Sequence, residues 1–191
     1  MLSAALALLL AAQAPTPQAG EVKTPPKAKS PNAAPAAEAA AKQLTFEPKT
    51  KVDGETLQVI LGQRAVFGVN GKGMPVIEKV EEGQLAAAHA EGKAKEAFEK
   101  PASGLVAAAL DGSAEKRATF LKVWNGTGDT IEYRAIALVL RQNKLTPMPV
   151  ASCPVAPGAV RTESWPAPIV AVGLARFKTA SKEALARPGC K

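Results

Sequence analysis

The chain predicts a mainly β protein: an antiparallel sandwich carrying a short helical excursion and a disordered N-terminal tether. Three observations carry that expectation. β-Branched and aromatic residues gather after residue 55 in short runs with period-two alternation. Turn clusters rich in Gly, Asn and Pro punctuate those runs. Residues 15–50, by contrast, are dominated by Ala, Pro and Lys, which bury too little area to build a core.

The 191 residues leave room for one ordinary domain with appendages. Residues 1–14 form an Ala/Leu-rich opening, with Leu6-Ala-Leu-Leu-Leu10 followed by the small residues Ala11-Ala-Gln-Ala14. That pattern reads as a secretory signal peptide, its apolar stretch being shorter than the ~20 residues of a spanning helix. Two features run against it: no Lys or Arg precedes the apolar stretch, and Pro15 follows the Ala-Gln-Ala site. A buried or anchoring N-terminal helix is the competing reading. Residues 15–50 alternate Pro, Ala and Lys and read as a disordered linker, a spacer in its plainest role.

Residues 51–178 are expected to make the sandwich. Thr56-Leu-Gln-Val-Ile-Leu61 and Arg64-Ala-Val-Phe-Gly-Val69 flank Gly62-Gln63 and read as a hairpin. Asn70-Gly-Lys-Gly-Met-Pro75 follows as a tight turn without phosphate-loop spacing, and Val76 to Val80 as another short strand. Gly83 to Lys100 is rich in Ala, Glu and Lys and predicts a marginal helical excursion at one edge, interrupted by Gly92 and ended by Pro101. A strand is expected over Gly104 to Leu110.

The stretch from Thr119 to Phe177 is the organising one. Strand Thr119–Trp124 enters the turn Asn125-Gly-Thr-Gly-Asp129, where the chain is expected to reverse into Thr130–Leu140. Alternation puts Leu121 and Val123 on one face and Phe120 and Trp124 on the other. In the next strand Ile131, Tyr133, Ala135, Ala137 and Val139 share a face; Ile136, Leu138 and Leu140 on the other predict cover on both sides at the far end. A Pro-rich corner precedes the strands Ala159–Trp165 and Ile169–Phe177. Phe67, Phe120, Trp124, Tyr133, Trp165 and Phe177 are the expected anchors of packing, Trp165 as a core plug.

Net charge is +7, but the basicity is uneven. Gly20–Lys51 carries six Lys against three Glu, and Lys178–Lys191 four basic residues against Glu183. Each tail is thus +3, leaving +1 for the body between them. This argues against a folded basic groove and against nucleic acid as a partner. It leaves weak contact of the basic tails with anionic envelope polymers as the electrostatic partner reading.

Catalytic and metal signals are thin. His89 is the single histidine and reads as a solvated helix-face residue; no multi-histidine zinc site is available, and no cofactor is expected. Met74 and Met148, the soft copper ligands to consider, each adjoin a proline. Asp53, Asp111, Asp129, Glu132 and Glu163 supply carboxylates, yet Asp111 and Asp129 fit turn chemistry. No Gly-x-Ser-x-Gly elbow appears. Asn125-Gly-Thr127 fits a glycosylation acceptor and is read as a turn.

Cys153 and Cys190 say more. Export places them where thiols oxidise, and an even count without a catalytic partner favours a structural disulfide over two free thiols. It would close a loop of about forty residues, stabilise by about 4 kcal/mol, and pin the basic segment 179–191 to the corner Cys153-Pro-Val-Ala-Pro-Gly158.

Phe120-Leu-Lys-Val-Trp-Asn-Gly-Thr-Gly-Asp129, Tyr133-Arg-Ala135, Cys153–Gly158 and Glu163-Ser-Trp-Pro166 together resemble periplasmic immunoglobulin-like sandwich proteins of Gram-negative bacteria. The resemblance covers roughly 56–178 and implies a fold, not an activity. The functional expectation is an exported, non-catalytic envelope module for protein interaction or structure. Edge strands or two turns would make the contacts, the turns being Asn70, Lys72 and Met74, and Asn125, Thr127 and Asp129. The alternative is an inhibitor of an envelope hydrolase that presents Asn70–Met74 as a rigid loop.

Overall fold

The structure is a computed structural model that describes residues 48–142 and 144–190; the expected leader and nearly all of the linker lie outside the described residues. Among the described residues, ten strands form two five-stranded antiparallel sheets. The first sheet has the order β1 (Lys51–Asp53), β2 (Thr56–Ile60), β10 (Ile169–Thr179), β7 (Ile131–Arg141) and β8 (Lys144–Val150). The second has β4 (Pro75–Glu82), β3 (Gln63–Val69), β5 (Val106–Ser113), β6 (Ala118–Asn125) and β9 (Val160–Trp165). The chain is an antiparallel sandwich, as its alternation predicts.

The core lies between the sheets. Leu57, Val59, Tyr133, Val139, Val172 and Leu174 face it from the first sheet, and Phe67, Val106, Leu110, Leu121 and Val123 from the second. Each such side chain contributes about 1.5–3 kcal/mol through area removed from water. Phe177 is the aromatic hub, edge-on to Phe67 at 5.2 Å and stacked on Tyr133 at 5.8 Å between ring centroids. Trp165 packs against this core, as expected.

Phe177 reaches the core through a register shift. Strict alternation from Val172 and Leu174 would turn Arg176 inward. The ladder to β7 instead skips between Ala175 and Lys178, and Arg176 takes φ 57°. The extra residue points Phe177 in and leaves Arg176 outside, the usual effect of a β-bulge.

Four expectations need correction. The run Thr56–Val69 is not a hairpin: β2 and β3 belong to different sheets, and Leu61-Gly62 is a corner between them, with Gly62 at φ 79°. Leu57 and Val59 can then face Ala65 and Phe67 across the core instead of lying beside them. Nor does the chain double back within one sheet after Asn125, because β6 and β7 also lie in opposite sheets. The Pro-rich corner contains β8, a true strand. Finally, the far end of β7 is not covered on its outer face, where Ile136 and Leu140 are 45% and 44% exposed.

β8 escapes sequence reading because prolines demote a strand, yet they fit an edge. Pro147 and Pro149 lie opposite Leu138 and Ile136. With no N–H to donate, they occupy the positions whose backbone turns away from β7, so the free edge lacks two donors. The opposite edge of the second sheet, β4, is broken by a register shift near Glu78 and carries Glu78 and Lys79 exposed. Both devices discourage strand addition.

The helical excursion shrinks to one 3-10 turn, Ala86–Ala88. The segment around it lies across the outer face of the second sheet, not at an edge. Leu85, Ala88 and Phe98 are buried there with Val66, Ala107, Ala109 and Trp124. Arg64, only 3% exposed, is held under this strap, its guanidinium 5.4 Å from the Phe98 ring centre and 4.9 Å from that of Trp124. Glu81 pairs with it at 3.4 Å. Burial lowers its pKa, opposed by the fields of Glu81, Glu96 and Glu99.

Candidate functional site

The two turns named from the sequence meet. The β3–β4 turn and the link from β6 to β7 lie at one end of the sandwich, and with the end of β10 they line a cleft of about 620 Å³. Val69–Gly73 form one wall, Thr127 and Asp129 another, and Ile131 with Phe177, Lys178 and Thr179 complete the lining. Met74 is not among the lining residues; its N–H helps close the turn.

Each turn is held from within. Asn70 Oδ1 accepts the N–H of Lys72 at 2.9 Å and of Met74 at 3.1 Å. Its backbone N–H donates to Met74 O at 3.0 Å, and its carbonyl accepts from Gly73 at 2.8 Å. Gly73 stands at φ 75°, and a Cβ there would run into the carbonyl oxygen of Phe177. Only glycine lets the turn lie against β10.

Asn125 is the pin of the second turn. At 1% exposed it presents nothing to solvent. Its Nδ2 donates to the carbonyls of Asp129 at 2.7 Å and Val155 at 2.8 Å. Its Oδ1 accepts from the Thr127 N–H at 2.9 Å and hydroxyl at 2.6 Å. All four of its hydrogen-bonding valences are used. Asn125 therefore shapes the loop that offers Thr127 and Asp129. Lys72, Asp129 and Lys178 are exposed around apolar lining from Ile131 and Phe177, a mixed-charge rim over a less polar floor.

The disulfide is present: Cys153 and Cys190 are joined, with Cα atoms 5.3 Å apart. Around it Arg161 donates to the carbonyls of Cys190 and Gly189, and Arg187 to that of Ser152 at 2.7 Å. A single helical turn, α1 (Lys182–Leu185), is capped by the Ser181 hydroxyl and buries Ala184. The C-terminal segment is thus folded onto the corner that the sequence named.

The remaining chemical candidates occupy separate places. His89 is not on a helix face; half-buried beside Asp111, its Nε2 is 3.4 Å from that carboxylate. Asp111 also accepts the N–H groups of Leu85 at 2.8 Å and Gly112 at 2.7 Å. Glu163 accepts from Arg161 and from the Cys153 N–H, both at 3.1 Å. Glu132 pairs with Lys178 at 2.8 Å, and that ammonium holds its carboxyl below the usual range. Met148 packs against the core. Among the described residues no group of three His, Cys, Asp or Glu is close enough together to hold a metal. No described helix is long and apolar enough to cross a membrane.

Sequence reasoning missed Ile131 and the strand end Phe177–Thr179 as parts of the cleft. Their place depends on the pairing of Ile131 with Thr179, a contact between positions far apart in the chain. No family model, curated protein or solved structure matches this chain.

Proposed function

We propose that this chain is an exported, non-catalytic envelope module that binds a protein partner through the loop end of its sandwich. The observation that carries the reading is the convergence of two internally braced turns on one cleft. A braced turn loses little conformational entropy on binding, so more of its contact energy appears as affinity. Two of the four sheet edges support the same choice: Pro147 and Pro149 on β8 and the shifted, charged β4 make strand addition there the poorer route. Export is supported by the signal-like opening and by a disulfide, which persists in oxidising compartments. Kinship with periplasmic immunoglobulin-like proteins belongs to this proposal.

The test is capture from an envelope extract by the full oxidised chain and by two variants. Charge reversal at the cleft, Lys72→Glu with Asp129→Lys, should abolish capture of a defined partner; reversal on the strap, Lys93→Glu with Lys95→Glu, should not. Equal capture by all three would refute the reading.

The inhibitor alternative rests on the stiffness of Asn70–Met74, whose four hydrogen bonds and glycine wedge suit a loop inserted into an enzyme's cleft. A captured hydrolase whose activity falls in proportion to added chain would select it.

A further inference from the structure

We propose that the outer face of the first sheet, beside the loop end, holds a binding site for a doubly charged phosphate group. The site lies where β7, β10 and the C-terminal segment meet. Arg134, Arg176, Lys178 and Arg187 line a cavity of about 300 Å³ together with Glu132 and Tyr133. Four cations face one carboxylate, a local charge of +3 in a folded body whose strand region sums to almost nothing.

The carboxylate is already taken. Glu132 Oε1 pairs with Lys178 at 2.8 Å, and Oε2 accepts the Ser181 N–H at 3.3 Å. The guanidinium groups of Arg134 and Arg176 have no hydrogen bond or ion pair among the described residues. Arg187 is anchored through one nitrogen, Nη1, to Ser152 O. Three guanidinium groups thus converge with most of their donors uncommitted, and planar guanidinium forks match the oxygens of phosphate.

Arg176 adds a second argument. It sits at φ 57° in the bulge, a conformation that costs any residue with a Cβ and that Gly or Asn would accept more readily. An arginine at such a position, aimed out of the core beside Arg134, carries local strain of the kind found at functional sites. The cavity, about 300 Å³, has room for a phosphate group. The disulfide matters here as well, because it holds the segment that brings Arg187 to the sheet.

The phosphate could be free or borne by a lipid headgroup, and the experiment separates the two. The full oxidised chain is titrated at low salt with inorganic phosphate, followed by NMR of the arginine side chains. In parallel it is mixed with vesicles of phosphatidylcholine, with and without phosphatidic acid. Saturable phosphate binding that weakens with salt is expected. Arg176→Gly, which relieves the backbone, should lower affinity about tenfold without loss of stability, and Arg187→Gln should do likewise. Glu132→Gln should tighten binding by freeing Lys178. Opening the disulfide should bring affinity down to that of Arg187→Gln. Binding to phosphatidic acid vesicles alone, lost in the same variants, would assign the site to a lipid phosphate. Absence of saturation in both arms, or unchanged affinity in Arg176→Gly and Arg187→Gln, overturns the proposal. Lys178 lines both this cavity and the loop-end cleft, so the two proposals are separated by Arg176→Gly and Arg187→Gln, neither of which lies in the cleft.

Discussion

Asn125→Asp changes one atom of the buried pin and reverses its chemistry. In the native turn, Nδ2 donates to the carbonyls of Asp129 and Val155. A carboxyl group of the same shape has one proton to offer when neutral and none when ionised. The neutral form loses one of the two donations, a cost of about 1 kcal/mol. The ionised form loses both and sets a carboxylate oxygen against two carbonyl oxygens in a site that water does not reach. Only the Thr127 N–H and hydroxyl remain to solvate it. Desolvation and repulsion then add about 2–3 kcal/mol, for a total of about 3–4 kcal/mol at neutral pH.

The pH dependence follows. A difference of about 2–3 kcal/mol between the two forms raises the introduced carboxyl by about two pH units, from about 3.9 in the unfolded chain to about 6 in the folded one. A raised pKa means that the neutral form is the better tolerated one. The penalty is therefore small below about pH 4, grows between about pH 4 and 6, and is constant above. Urea denaturation of wild type and variant at matched pH, from 3.5 to 8, isolates this term because other titrations cancel in the difference. A variant within about 1 kcal/mol of wild type at pH 7, or a penalty independent of pH, would refute the claim that this side chain is a fully committed donor.

Other outcomes test other parts of the fold. Tyr133→Phe removes a buried hydroxyl with no partner among the described residues and should raise stability by about 1 kcal/mol in urea melts. Gly73→Ala combines a positive φ with a collision against Phe177 O and should cost about 2–3 kcal/mol by the same assay. Replacing both Cys153 and Cys190 by Ser opens a loop with a separation of 37 residues and should cost about 4 kcal/mol, read as a lower denaturation midpoint. Glu132→Gln removes a carboxyl whose pKa is held below 4.5 by Lys178. The wild type's advantage over that variant should be full above about pH 4.5 and fade as pH falls through the depressed value.

Much of the sandwich was legible because burial imposes period two on any strand with one face in a core. Leu121 and Val123 do face the core while Phe120 and Trp124 pack outside it, and the set Ile131 to Val139 lines the interior. What alternation cannot give is the partner of a strand. A glycine corner such as Leu61-Gly62 looks the same whether the next strand pairs with the last or crosses to the other layer. β8 was hidden because Pro147 and Pro149 are read as breakers, although on an edge their missing N–H groups cost no ladder bond. The Ala-rich strap was misread because helix propensity describes isolated segments. Here Leu85 and Phe98 are fixed by the outer face of the second sheet, and that contact outweighs propensity.

Charge is as blind to tertiary proximity as alternation is to strand pairing. Summing charges along the chain gave two basic tails and a neutral body, and from this no folded basic site was expected. The sum holds, but it assigns Lys178 and Arg187 to a tail and averages Arg134 and Arg176 against distant carboxylates, so it does not foresee that the four line one cavity. The disulfide folds one tail back, the bulge expels Arg176, and the β7–β10 register sets Arg134 opposite Ala175 and Glu132 opposite Lys178. Electrostatic potential depends on separation in space, falling off over about 10 Å in ordinary salt. Four cations from three segments can therefore make a site that no window of sequence contains. The two turns differ in kind: each is local, its Asn and Gly residues announce it, and only their meeting at one end required the fold.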